Sequence, residues 1–233
     1  MTTRDGVLAA LDSVIDPELD EPITTLRFVS SVGVSQDGDV EVMLRLPTPQ
    51  CAPNFAFLMA ADARDAVRRL PGVRGVTIVL EDHYTGAEIN AAIARGEGFT
   101  GAFPGETDDD DLRSLRELFQ RKALVARQSK LCEAVLAGGS DAQGVVALRV
   151  GDLDDGPELR RCLELRSQLG IPCDADAPAF VLPNGTPVAS GELQRWLRMA
   201  RLVRTSLETN GGICRSLLQF RHDLAAVPEE VAR

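Results

Sequence analysis

Residues 26–46, LRFVSSVGVSQDGDVEVMLRL, decide the fold of the first part of the chain. Leu26, Phe28, Ser30, Val32 and Val34 alternate with other residues, and so do Val40, Val42, Leu44 and Leu46. That period of two predicts two half-buried strands, and Asp37-Gly38-Asp39 between them predicts the turn of a hairpin. Upstream, Val7, Leu8, Leu11, Val14 and Ile15 recur at helical spacing, with Thr2 and Asp5 as a weak capping box. Pro17 restricts Asp16 and stops that helix near Ile15. Downstream, Pro53 suits the first turn of a second helix whose buried face is Leu58, Met59, Ala63, Ala66, Val67 and Leu70. Pro71-Gly72 ends it, and Val73, Val76, Ile78 and Leu80 predict a third strand. The expected domain, residues 1–85, is a two-layer helix-strand-strand-helix-strand α/β unit.

The totals restrict the function classes. The chain has 233 residues, 44% of them apolar, a formal net charge of −10 and a pI near 4.8. An acidic chain is a poor binder of phosphate backbones, which are neutralised by Lys and Arg, so no nucleic-acid partner is expected. No apolar run approaches 18 residues and the N-terminus lacks the apolar core of a signal peptide, so no membrane and a cytoplasmic location are expected. The five cysteines, Cys51, Cys132, Cys162, Cys173 and Cys214, are odd in number and widely spaced. They form no C-x-x-C, which argues against a disulfide scaffold, a zinc knuckle or a redox dithiol.

Chemistry in the first domain centres on two loops. Asp16-Pro17-Glu18-Leu19-Asp20-Glu21-Pro22 packs four acids between and beside two prolines. Pro47-Thr48-Pro49-Gln50-Cys51-Ala52 leads into the second helix, placing Cys51 beside a helix N-terminus. Free N–H groups and the helix dipole favour a thiolate at such a place, either as a ligand for a soft metal or cluster or as a nucleophile. His83 follows Glu81-Asp82 at the end of the third strand, where a ligand, a proton relay and an ordinary structural histidine are all open. Solvated surface is the plainer reading of the acidic loop.

Residues Val14, Asp16, Pro17 and Glu18, then Thr48 and Cys51, then Pro71-Gly72-Val73, resemble in order the iron–sulfur assembly domain of the PaaD and SufT family, over about residues 5–84. The resemblance implies assembly or maturation of metal cofactors rather than turnover of metabolites, with a transient iron or iron–sulfur cluster as cargo. It carries the family's cysteine to Cys51 and its acidic motif to Asp16 and Glu18, with Thr48 and His83 as supporting residues. Expected partners are a client metalloenzyme or the assembly machinery. One thiolate per chain falls short of the four that hold an ordinary cluster, so a homodimer or an external thiol is implied for cluster binding. The chain departs from the family pattern in three places. Leu26-Arg27-Phe28 replaces a common Leu-Gly-Leu/Met, Ala52 rather than proline follows Cys51, and the third strand ends Leu-Glu-Asp-His-Tyr. His83–Asn90 and Gly98–Gly105 are similar to relatives that accompany bacterial di-iron monooxygenases, which suggests the client.

Residues 86–111 read as a glycine-rich and acidic linker, with a short helix over Gly86–Ala94 and Asp108–Asp111 as a charged helix start. Residues 112–210 read as a second domain. A helix is expected over 112–137, a strand over Val145–Val150, and a helix on Leu159, Cys162, Leu165 and Leu169. Two strands then flank the turn Pro183-Asn184-Gly185, before a final amphipathic helix from Leu193 to Leu207. That order is similar to a thioredoxin-like α/β domain, which without its dithiol would be a docking module. Residues 211–233 are a C-terminal tail, with Cys214 on a basic, solvated segment. The leading reading is an assembly factor. The alternatives are a thiol-dependent oxidoreductase and a structural subunit of an enzyme complex.

Overall fold

A computed structural model describes residues 2–222; the last eleven residues of the expected tail lie outside the described residues. The chain divides into two compact units. Of the described residues, the first comprises 2–113 together with 210–222, and the second comprises 114–209.

The first unit is a mixed α/β region with two small sheets. Helix α1 (Arg4–Leu11) is capped by Thr3, whose hydroxyl accepts from the Gly6 N–H, while Thr2 donates instead to the carbonyl of Pro71. Strands β1 (Ile15–Asp16) and β2 (Glu21–Pro22) then pair as a minimal antiparallel ribbon. Strands β3 (Val29–Val34) and β4 (Asp39–Arg45) form the hairpin, with an irregularity between Val29 and Ser31. Gly38, at φ +89°, makes its turn; a Cβ there would lie 2.4 Å from the Gly72 carbonyl oxygen, so only glycine fits.

Helix α2 (Pro53–Arg68) has Pro53 in its first turn, where the missing N–H costs nothing. It carries the chain back so that β5 (Gly75–Glu81) lies parallel to β4 in a three-stranded sheet of order β3-β4-β5. Val42, Leu44, Ile78 and Leu80 alternate inward from the sheet, and Phe57, Leu58, Ala63 and Val67 of α2 are buried with them. Truncating one of these large side chains to Ala costs about 2–5 kcal/mol. Helix α3 (Gly86–Arg95) and the single turn α4 (Phe99–Ala102) follow, and α3 packs against both β5 and α2. Phe99 meets Phe57 edge-to-face at 5.5 Å. The Asn90 side chain finishes the edge of β5 by accepting from the Leu80 N–H (2.8 Å) and donating to the Leu80 carbonyl (3.1 Å).

The second unit overturns the expected thioredoxin-like α/β domain: it is almost entirely helical. Its helices are α5 (Arg113–Ala137), α6 (Ala142–Ala147), α7 (Pro157–Gln168) and the first part of α8 (Leu193–His222). Of the run Val145–Val150, expected as a strand, Val145–Ala147 lie in α6, which Asp141 caps by accepting from the Gly144 N–H at 2.8 Å, and Arg149 reaches only an isolated bridge. The Pro183-Asn184-Gly185 turn forms, but its flanks reach only isolated bridges, Arg149 to Pro178 and Val181 to Pro187.

Side chains supply what a sheet would have supplied. Buried Arg166 donates to the carbonyls of Pro178 (2.9 Å) and Ala179 (2.5 Å), while Gln128 accepts from the Val181 N–H and donates to its carbonyl. Prolines at 178, 183 and 187 lack the N–H that a ladder needs. Helix side chains take part of the hydrogen bonding of 178–181, the Leu148 carbonyl and the Val188 N–H take more, and only isolated bridges form. Cys132 and Cys173 do not pair. Cys132 is fully buried, and burial pushes its thiol up to about 11; Cys173 donates to the carbonyls of Leu163 and Ile171.

Candidate functional site

In the first unit the two loops singled out from the sequence meet. Asp16 is 6% exposed, and its Oδ1 accepts from the N–H groups of Glu18 (2.8 Å) and Leu19 (2.9 Å). This closes the acidic segment into a tight turn, helped by Asp20 at φ +53°, whose N–H donates to the Asp16 carbonyl at 2.9 Å. Burial pushes the Asp16 carboxyl up to about 6. The two backbone donors pull it down and the neighbouring charges of Glu18 and Glu21 add to the rise. Asp16 and Asp20 are thus buried, and Glu18 is half-buried.

Cys51 is half-buried, one residue before the N-cap of α2. Its N–H donates to the Thr48 carbonyl (3.3 Å), and its Sγ lies 3.6 Å from the Thr48 hydroxyl. His83 holds the loop from the far side. The Thr85 N–H donates to Nδ1 at 3.2 Å, so the ring proton sits on Nε2, which donates to the Cys51 carbonyl at 2.8 Å. The Tyr84 N–H donates to the Pro49 carbonyl at 3.1 Å. His83 therefore positions the cysteine loop through its backbone. Arg27 occupies the left-handed region at φ +62°, a backbone conformation that glycine adopts most easily.

Asp16, Glu18, Cys51 and a fourth polar residue, Cys214, line one small cleft with Leu19, Phe28, Leu46, Pro47, Ala52, Phe55 and Met59. Its volume is about 70 Å³, room for an ion and a few waters but well below the ~300–1,000 Å³ typical of a site for a drug-sized molecule. Cys214 comes from the last turns of α8, which belong to the first unit. Its thiol is pushed up to about 11 by burial and by the charges of Asp16, Cys51 and Glu18, with Arg215 pulling the other way. From the sequence alone Cys214 reads as a buried or idle thiol beside solvated basic residues. The missed signal was a helical stripe, Leu207, Gly211, Cys214 and Leu218, spaced four, three and four. Among the described residues no group of three or more His, Cys, Asp or Glu side chains is arranged to hold a metal ion. No described helix is long and apolar enough to cross a membrane.

The family model described as iron-sulfur cluster assembly protein matches residues 4–78. An uncharacterized protein of Methanocaldococcus jannaschii is 33% identical over 97 residues, 42% of this chain and 100% of that protein. The Fe-S protein maturation auxiliary factor of Porphyromonas gingivalis is 34% identical over 80 residues, 34% of this chain and 74% of the factor. The iron-sulfur cluster carrier protein of Mycobacterium tuberculosis is 39% identical over 84 residues, 34% of this chain, and the match spans only 22% of the carrier. No solved structure gives a significant match.

Proposed function

The chain belongs to the iron–sulfur cluster assembly protein family, and from that premise we propose that it matures a client metalloenzyme in the cytoplasm, with Cys51 as the residue that handles iron or cluster. A general role in iron–sulfur assembly follows from the family; the client, the cargo and the residues are the proposal. The observation that carries it is the placement of Cys51. It is half-buried, at the mouth of α2, in a cleft sized for an ion, on a loop held by Thr48 and His83. Asp16 and Glu18 line the same cleft. No base or oxyanion donor is placed on the thiol by the contacts of this loop, which suits a ligand better than a nucleophile. The cargo is an iron ion or cluster in transit to the client. Cluster binding would draw further thiolates from a second copy or from a partner. The resemblance of His83–Asn90 and Gly98–Gly105 makes a di-iron monooxygenase the first client to test.

The test is a chromosomal Cys51→Ser variant in the native host, with iron per client active site, client abundance and client activity measured together. Reduced iron loading with the factor still folded and present is expected. Unchanged iron loading, abundance and activity would overturn the proposal.

A further inference from the structure

We propose that Cys214 is the second thiol ligand of this site, so that the Cys51–Cys214 pair binds one thiophilic divalent cation, Fe²⁺ in the cell. The inference rests on the reading that Cys51 handles iron, and it adds a ligand from outside residues 4–78, the stretch that the family model matches.

Three observations carry it. The two thiols line the same cleft, although they lie far apart in the chain. The cleft is acidic: Asp16, 6% exposed, spends Oδ1 on two backbone donors, and Oδ2 has no hydrogen bond among the described residues. A cation entering there is attracted by the carboxylates of Asp16 and Glu18 and favours loss of the thiol protons.

Cys214 is also held in place on both sides. One turn before it, Gly211 lets the helix backbone approach Glu21 so closely that a Cβ would lie 2.9 Å from Oε1. Arg215 pairs with Glu21 at 2.6 Å. Leu218 is 2% exposed, and Arg221 donates to the Pro47 carbonyl at 2.8 Å and pairs with Asp82. Pro47 and Asp82 lie at the base of the Cys51 loop and beside the His83 that staples it. The same contacts therefore fix both thiols, which is the preorganisation a metal site needs.

In the binding step each thiol releases one proton as its sulfur bonds the metal, two protons per cation, with water completing the coordination. Two thiolates per chain are also half of the four that a cluster takes, so a pair of chains would suffice.

The experiment is anaerobic titration of the full chain with Co²⁺, reading the sulfur-to-cobalt charge-transfer band, with folding checked by circular dichroism. A Cys173→Ser background removes the other half-buried thiol. The wild-type pair is expected to give about twice the band intensity per bound Co²⁺ of Cys51→Ser or Cys214→Ser, with affinity falling at least about tenfold in each. X-ray absorption of the Zn²⁺-loaded Cys173→Ser protein, which needs no change at either ligand, should count two sulfurs at about 2.3 Å. A Cys214→Ser titration that matches the wild type, or a count of one sulfur or none, would overturn the proposal. Loss of client iron in Cys51→Ser cells alongside an unchanged Cys214→Ser titration would leave the maturation role standing while removing the second ligand.

Discussion

Replacing Asp16 by Asn should make the protein more stable at pH 8 and leave it nearly unchanged at pH 4. Asn has the same shape, and its Oδ1 can still accept from Glu18 and Leu19, which are bonded at 2.8 and 2.9 Å. What it loses is a charge that burial disfavours. The folded-state pKa of Asp16 is raised from 3.8 to about 6. The folded chain therefore holds a proton that the unfolded chain gives up, and stability falls as pH rises from about 4 through 6, then levels off. The full cost is about 3 kcal/mol at neutral pH. Chemical denaturation of wild type and Asp16→Asn at several pH values between 4 and 8 measures it, and the difference between the two removes every other titrating group. A gap that opens with pH, in favour of Asn, is expected. A pH-independent gap, or an Asn variant less stable at pH 8, would refute the account of Asp16 as a desolvated carboxylate. A stabilised variant that nonetheless fails to mature its client would show that the buried charge is kept for function.

Arg166→Met should destabilise the second unit by about 3 kcal/mol, because it strips the buried carbonyls of Pro178 and Ala179 of their donors; equal denaturation midpoints would count against it. Arg27→Gly should be about 1 kcal/mol more stable than Arg27→Ala, since both lose the arginine's contacts and only glycine relieves φ +62°, as read by urea denaturation. Native-state alkylation followed by peptide mapping should label Cys51 while sparing Cys132 and Cys162, which are 0% and 2% exposed; early labelling of Cys132 would contradict the packing of α5. Leu218→Ala should loosen the end of α8 and speed alkylation of Cys214, and an unchanged rate would mean that Leu218 does not anchor it.

How much was legible in the sequence follows from which forces are local. The β3–β4 hairpin was readable because the period of two and the Asp37-Gly38 turn are both short-range, and α5 was readable because 25 residues of helical pattern leave little ambiguity. Val145–Val150 was not readable. A short apolar run fits strand or helix equally, and the cap from Asp141 settled it. The Pro183-Asn184-Gly185 turn was seen correctly, but a turn cannot say whether a sheet exists to receive its arms; Arg166 and Gln128 took those hydrogen bonds instead.

At the site the division is similar. The sequence by itself marked Asp16, Glu18, Thr48, Cys51 and His83, because their motifs lie within a few residues of one another or at element ends. Only the tertiary structure decided that Asp16 is buried rather than presented, that His83 acts on the Cys51 carbonyl rather than its thiol, and that a thiol 163 positions away enters the same cleft. Residue pairs so far apart in the chain leave no local pattern, and their meeting is set by the packing of Gly211, Arg215, Leu218 and Arg221 against the loops of the first unit.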